Sequence, residues 1–157
     1  MSATRHDGYV VYVGTRDWRH ASWEGVFYPA DMPADWRLAF YCTQFSCVWL
    51  AAEQWRGAAP DEVRAWLDEV PEGFLFLLEA APGLAAENVP EVWAADRCRP
   101  LGGDDVRIAW FDKGSDLRGL TERVRAALPD EPIFLLSRDN DLGAVERVKT
   151  LLELLGV

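Results

Sequence analysis

The chain has 157 residues, half of them hydrophobic and 27% charged, and it carries a formal net charge of −10 at pH 7. This describes one globular domain of ordinary size and excludes a disordered chain. The acidity (pI about 4.6) repels phosphate backbones, so no nucleic-acid partner is expected. The longest apolar strings, such as Phe74–Leu78, are strand-sized, so no membrane span is expected either.

Residues 1–8 are polar, hold no apolar signal core, and read as a flexible N-terminal tail ahead of a single α/β domain over 9–157. Tyr9–Val13 is apolar and β-branched, ends at Gly14-Thr15, and predicts a buried strand. A loop rich in Trp and charge follows. Trp36, Phe40 and Thr43 then fall on one face of a predicted helix over 34–44, and Cys47–Ala52 is again strand-like. Pro60-Asp61-Glu62 opens a helix whose apolar positions are Val63, Trp66, Leu67 and Val70. Phe74–Glu79 is a third strand. Residues 81–104, rich in Pro and Gly, predict an irregular bridge with one short helix near 91–95. Val106–Phe111 is a fourth strand. A helix over Leu117–Leu128 follows, with Ser115 or Asp116 as its cap. Ile133–Leu136 is a fifth strand, and Val145–Leu155 is a helix closed by Gly156.

Alternating strands and helices imply a parallel sheet with right-handed crossovers, and continuous apolar strands imply burial on both faces. The expected fold is α/β, a parallel sheet of about five strands with flanking helices.

Gly14-Thr15-Arg16-Asp17-Trp18, followed by Trp23-Glu24-Gly25-Val26-Phe27-Tyr28-Pro29, resembles the opening of the YecE-like family (domain of unknown function 72), with its patterns G-T-S-G-W and W-x-G-x-F-Y-P. Pro60–Trp66 is similar to that family's P-x-x-V-x-x-W helix, and Val106-Arg107-Ile108 is similar to its V-R-L-H-G strand. The resemblance implies TIM-barrel ancestry and an uncharacterised activity. A full barrel takes about 250 residues, so the expected fold is an incomplete TIM-barrel-like one. The departures fall on polar positions. Val48-Trp49-Leu50-Ala51 stands where the family has V-E-I-N, Glu79 stands in place of a lysine, and Ala109 and Trp110 replace a His and a Gly. Ser137-Arg138-Asp139 stands where the family has an Asn pair, and its E-R-H stretch is absent.

In parallel α/β folds, ligands sit at the C-terminal ends of the strands. That rule gathers Thr15, Arg16, Asp17, Trp18, Glu53, Glu79, Asp112, Lys113, Arg138 and Asp139 on one rim. Arg16, Lys113 and Arg138 are suited to a small anionic ligand. Asp17, Glu53, Glu79, Asp112 and Asp139 are suited to acid and base work, or to a solvated rim of mixed charge. Trp23, Phe27 and Tyr28, beside Trp18, would form either a stacking surface or a packed plug. No metal or other cofactor is expected. His6 and His20 have no partners at ligand spacing, and the calcium-loop look of Asp139–Gly143 fails at Thr150. Cys42, Cys47 and Cys98 fit neither a metal motif nor a disulfide framework and predict reduced thiols in a cytoplasmic protein.

Three readings follow. The first is a non-catalytic remnant whose pocket has decayed, with its mouth acids pointing to bulk water and its open sheet edges covered by self-association as a homodimer. The second is an enzyme or binder for an anionic or sugar-like metabolite. In that case Asp17 or Glu79 carries a shifted pKa in a pocket with basic residues. The third is a partner-binding module anchored by exposed Trp residues.

Overall fold

A computed structural model of the chain describes residues 4–6, 9–80, 89–93, 96–126 and 131–157. The strands are β1 (Thr4–His6), β2 (Tyr9–Arg16), β3 (Cys47–Leu50), β4 (Leu75–Glu79), β5 (Cys98–Leu101), β6 (Ile108–Phe111) and β7 (Pro132–Ser137). The helices are α1 (Arg37–Tyr41), α2 (Ala52–Arg56), α3 (Pro60–Glu69), α4 (Leu117–Ala126) and α5 (Leu142–Leu155). Six strands form one parallel sheet in the order β5-β4-β3-β2-β7-β6, and β1 pairs antiparallel with the start of β2.

Several expectations are corrected. The parallel strands number six rather than five, because Cys98–Leu101 lies inside the stretch read as irregular. Arg99 and Pro100 hid it, yet proline is tolerated on an edge strand. Phe76 N–H donates to Arg97 O and Ala80 N–H to Leu101 O, so the Pro100 nitrogen faces the free edge, where no donor is missed. Thr4–His6, placed in the flexible tail, forms a hairpin strand with Tyr9–Val11. The helix over 34–44 is a 3-10 turn at Ala34–Trp36 followed by the five residues of α1. The helix expected near 91–95 runs into residues outside those described, and Glu91–Trp93 form a turn.

The sheet is curled, and two contacts measure the curl. Between β3 and β6 lie β2 and β7, so in a flat sheet the two strands would be about 14 Å apart. The Trp49 and Trp110 rings instead meet edge to face at 5.3 Å. Arg99 on β5 likewise reaches the ring of Phe134 on β7 at 5.8 Å, across three intervening strands. The result is a half-barrel with flanking helices. Its inner face is filled by a layer that includes Cys47, Trp49, Leu77, Phe134 and Leu136. Its outer face, with Val11, Val13, Val48, Leu50, Phe76 and Leu135, packs beneath the helices. Both faces are buried, which is why the strands read as apolar runs without alternation.

Because β5 and β6 run the same way, residues 102–107 must travel back from the end of one to the start of the other. They do so in the gap between the two sheet edges. Trp110 Nε1 donates to Gly103 O at 2.7 Å, and Arg107 forms a two-point pair with Asp105 at 2.9 and 2.8 Å. From α4, Arg123 donates to Val106 O at 2.9 Å and to Ile108 O at 3.0 Å. These carbonyls point away from β7, since Arg107 O and Phe111 O are the ones that face it. The β6 edge is therefore masked by a guanidinium.

The caps match the local sequence. Asp116 is the residue that caps α4, its Oδ1 accepting from Arg118 N–H at 3.0 Å. Asp141 caps α5 by accepting from Ala144 N–H at 2.9 Å, so the Asp139–Gly143 stretch is the entry to that helix and its first turn. Gly156 closes α5 in the left-handed region at φ 77°.

Candidate functional site

The C-terminal ends of β2, β3, β4, β6 and β7 converge at one mouth of the half-barrel. Asp17 is its most engaged residue. It lies in the left-handed region at φ 63°, where Asp is one of the few non-glycine residues tolerated. Its N–H donates to Trp49 O at 2.8 Å, which extends the β2–β3 pairing around the corner. Its carboxylate accepts from the backbone N–H of Trp18 and of Arg19, from Arg19 Nε and NH2 at 3.0 and 2.9 Å, and from Gln54 Nε2 at 2.5 Å. Burial pushes the Asp17 carboxyl up, but the Arg19 and backbone hydrogen bonds together outweigh it and hold the group below its ordinary value.

The other acids are held in a similar way. Glu79 Oε1 accepts from Ala52 N–H at 2.9 Å at the start of α2, and Glu79 O accepts from Trp55 Nε1 at 3.1 Å. Asp112 Oδ1 accepts from Gly114 N–H at 2.9 Å, and Oδ2 lies 3.8 Å from Arg138. Asp139 accepts from Lys113 N–H at 2.9 Å, from Asp141 N–H at 3.1 Å and from the Ser137 hydroxyl at 3.3 Å. Partial burial raises the Asp139 carboxyl, but these bonds prevail and lower it.

Arg16 and Arg138 stand at the mouth with their guanidinium carbons 5.9 and 6.0 Å from the centre of the Trp110 ring. Arg16 is anchored by its N–H to Asn140 Oδ1 at 2.9 Å. Lys113 is exposed, and its backbone groups tie it to Asp139 and Arg147.

Six of the expected site residues do not join this group as ligand-facing side chains. Thr15 is fully buried and turns to the outer layer, where its hydroxyl donates to Asp17 O at 2.8 Å and meets Tyr41 OH at 3.0 Å. Trp18 is 2% exposed and packs edge to face on Trp66 at 5.0 Å, with Arg19 laid over both rings. Glu53 lies exposed on α2. Trp23 and Tyr28, 3% and 1% exposed, form a packed plug with Phe27, Phe40 and Phe45, so the block is not a stacking surface. Tyr28 OH donates to Trp18 O, which ties the plug to the β2 loop. Of the eight tryptophans only Trp36 is exposed, so the reading that relies on several exposed Trp anchors is corrected as well.

Sequence reasoning placed Gln54 and Asn140 in the strand-end stretches Glu53–Trp55 and Ser137–Asn140 without giving them a role, and it missed Arg19 and the facing pair Trp49 and Trp110. Gln54 did carry a signal. It stands at the third position of α2, where a Gln reaches back to the first free N–H, and here it accepts from Ala51 N–H at 2.8 Å. The Trp pair carried none, since its partners are 61 positions apart and meet only through the curl.

Fold and mouth together define an α/β half-barrel of parallel strands with its polar residues gathered at the strand ends. Residues 12–92 match the family described as Protein of unknown function DUF72. That is just over half of the chain, and the chain belongs to this family. A search of curated proteins finds no match. Among solved structures, the chain is similar to a DUF72 family protein from Thermotoga maritima MSB8, with 18% identity and a TM-score of 0.47 over 94% of this chain. The chain spans 62% of that protein's length.

Among the described residues, no helix is long and apolar enough to cross a membrane. Cys42, Cys47 and Cys98 are buried, and burial pushes all three thiols up, Cys42 to about 12 and Cys98 to about 11.

Proposed function

We propose that this chain is a non-catalytic half-barrel of the DUF72 type, in which the strand-end acids serve the architecture of the mouth. One observation carries the reading. Asp17, Glu79, Asp112 and Asp139 each accept a backbone N–H at a loop or helix start. A general base working near neutral pH needs a carboxyl raised towards that pH. Asp17 and Asp139 are displaced the other way. The cation that holds Asp17 is Arg19, which lies over Trp18 and Trp66. These acids do not point to bulk water as a simple decayed pocket would have them, because they have taken over loop and helix capping. In support, Trp49 and Trp110 stand at positions where the family pattern has Glu and Gly, and their rings fill the interior beneath the mouth. The buried thiols of Cys42 and Cys47 are in keeping with a reducing, cytoplasmic setting.

A carbon-detected NMR titration of the side-chain carboxyls tests this reading. Asp17 and Asp139 are expected to ionise below the ordinary carboxylate range. A mouth carboxyl titrating at about pH 6–7 would overturn the reading, since that is where a working acid or base sits.

Self-association through the sheet edges, expected from an open barrel, is not part of this proposal. Pro100 on the free edge of β5, the strand-spanning segment 102–107 and Arg123 on the outward carbonyls of β6 each blunt an edge against strand addition. We propose instead a monomer, to be checked by light scattering.

A further inference from the structure

We propose that Arg16, Arg138 and the ring of Trp110 form a binding site for a phosphate dianion, free or as a phosphate ester, at the mouth of the half-barrel. The inference is independent of the reading above, because an anion can be held there whether or not anything is turned over.

The backbone register brings the two arginines together. β2 and β7 are paired in parallel up to Gly14↔Leu136. Two residues further along each chain stand Arg16 and Arg138, so both start from the same face of neighbouring strand ends. On the next strand, Trp110 pairs with Leu136, one layer deeper on that face. Both guanidinium groups lie over this one ring. The backbone positions are fixed from both sides. Arg16 N–H is held by Asn140 Oδ1, and Arg138 N–H donates to Phe111 O at 2.7 Å.

Their charges are under-compensated in a chain that has acids to spare. With 26 Asp and Glu against 16 Lys and Arg, an arginine here finds a carboxylate easily. Arg19, Arg37, Arg64 and Arg107 hold one at 2.9, 2.7, 2.7 and 2.8 Å. Among the described residues, Arg16 pairs with no carboxylate, and Arg138 has only Asp112 Oδ2 at 3.8 Å. Asp139, the acid next to Arg138 in the chain, accepts from Lys113 and Asp141 N–H. Two guanidiniums, each held about 6 Å from the centre of one aromatic ring, repel each other, and an anion shared between them would relieve that repulsion. Planar guanidinium forks match the oxygens of a phosphate, and the contact of both cations with the Trp110 ring limits the side-chain freedom lost on binding. Asp112 is the competing counter-ion at this site.

The test is a titration of 15N-labelled protein with potassium phosphate at ionic strength matched with potassium chloride. Saturable shifts are expected at the Trp110 indole N–H and at the amides of Arg16 and Arg138, with sulfate competing and acetate failing to saturate. Arg16→Ala and Arg138→Ala should each weaken binding by about tenfold or more, as expected for loss of charge-assisted hydrogen bonds, and Arg64→Ala should not. Asp112→Asn should tighten it. Arg138→Lys keeps the charge and the fold but loses the fork, and it should also bind more weakly. Ribose 5-phosphate binding more tightly than phosphate identifies an ester as the ligand, and equal binding identifies free phosphate. Absence of saturation, shifts mapping elsewhere, or full binding by folded Arg16→Ala or Arg138→Lys would overturn the proposal.

Discussion

Asp17 shows how one residue can be committed by its conformation as well as by its charge. Its left-handed backbone suits Asp, Asn or Gly, and its carboxylate gathers donors from Trp18, Arg19 and Gln54. Asp17→Asn keeps the backbone preference and loses the charge, whereas Asp17→Ala loses both. We expect Asp17→Ala to cost about 3 kcal/mol in urea unfolding and Asp17→Asn clearly less. The pH dependence has a definite sign. The folded-state pKa lies below the unfolded value of about 3.8, so the ionised form is the one the fold favours. Its contribution is complete above that value and is lost as pH falls through the lower folded pKa. Acid unfolding monitored by circular dichroism should therefore be less steep below about pH 4 in Asp17→Asn than in the parent chain.

At the scale of elements, Gly14 marks a close approach between β2 and β3. A Cβ there would stand 2.3 Å from Cys47 O and 2.7 Å from its sulfur, in the register where Gly14 pairs with Cys47. The obstacle is backbone and cannot swing away, so Gly14→Ala should destabilise by about 3 kcal/mol in chemical denaturation. The same glycine opens the motif that resembles the family. What the structure shows of it is close packing against Cys47. On α5, Asp141→Ala removes the side chain that caps Ala144 N–H and should cost about 1 kcal/mol, read from the thermal midpoint.

For the whole molecule, closure rests on the interior pair Trp49 and Trp110 and on Arg123 at the β6 edge. Trp49, 1% exposed, lies in the inner layer, and Trp49→Ala should cost about 3–5 kcal/mol by cavity formation and loosen the curl. Arg123→Ala frees the outward carbonyls of Val106 and Ile108. Light scattering at rising concentration should show a monomer for the parent chain and association for this variant. Association of the parent chain would instead mean that a surface other than these edges is sticky.

By itself the sequence determined the local order of this protein. The apolar runs read at Tyr9–Val13, Cys47–Ala52, Phe74–Glu79 and Ile133–Leu136 contain strands β2, β3, β4 and β7, although Ala52 opens α2. Pro60, Asp141 and Gly156 stand where α3 begins and α5 begins and ends. The opening motif, from Gly14 to Pro29, pointed to the family. These features were legible because propensity, capping and burial on both faces act over a few neighbouring residues. The tertiary structure alone decided the rest. It made a sixth parallel strand of Cys98–Leu101, whose proline is tolerated only because it faces a free edge. It turned the aromatic block of Trp23, Phe27 and Tyr28 inward. It also set the ring of Trp110 against Arg16 and Arg138, which the strand-end rule had already placed on one rim, because parallel register and sheet curl are properties of the assembled chain.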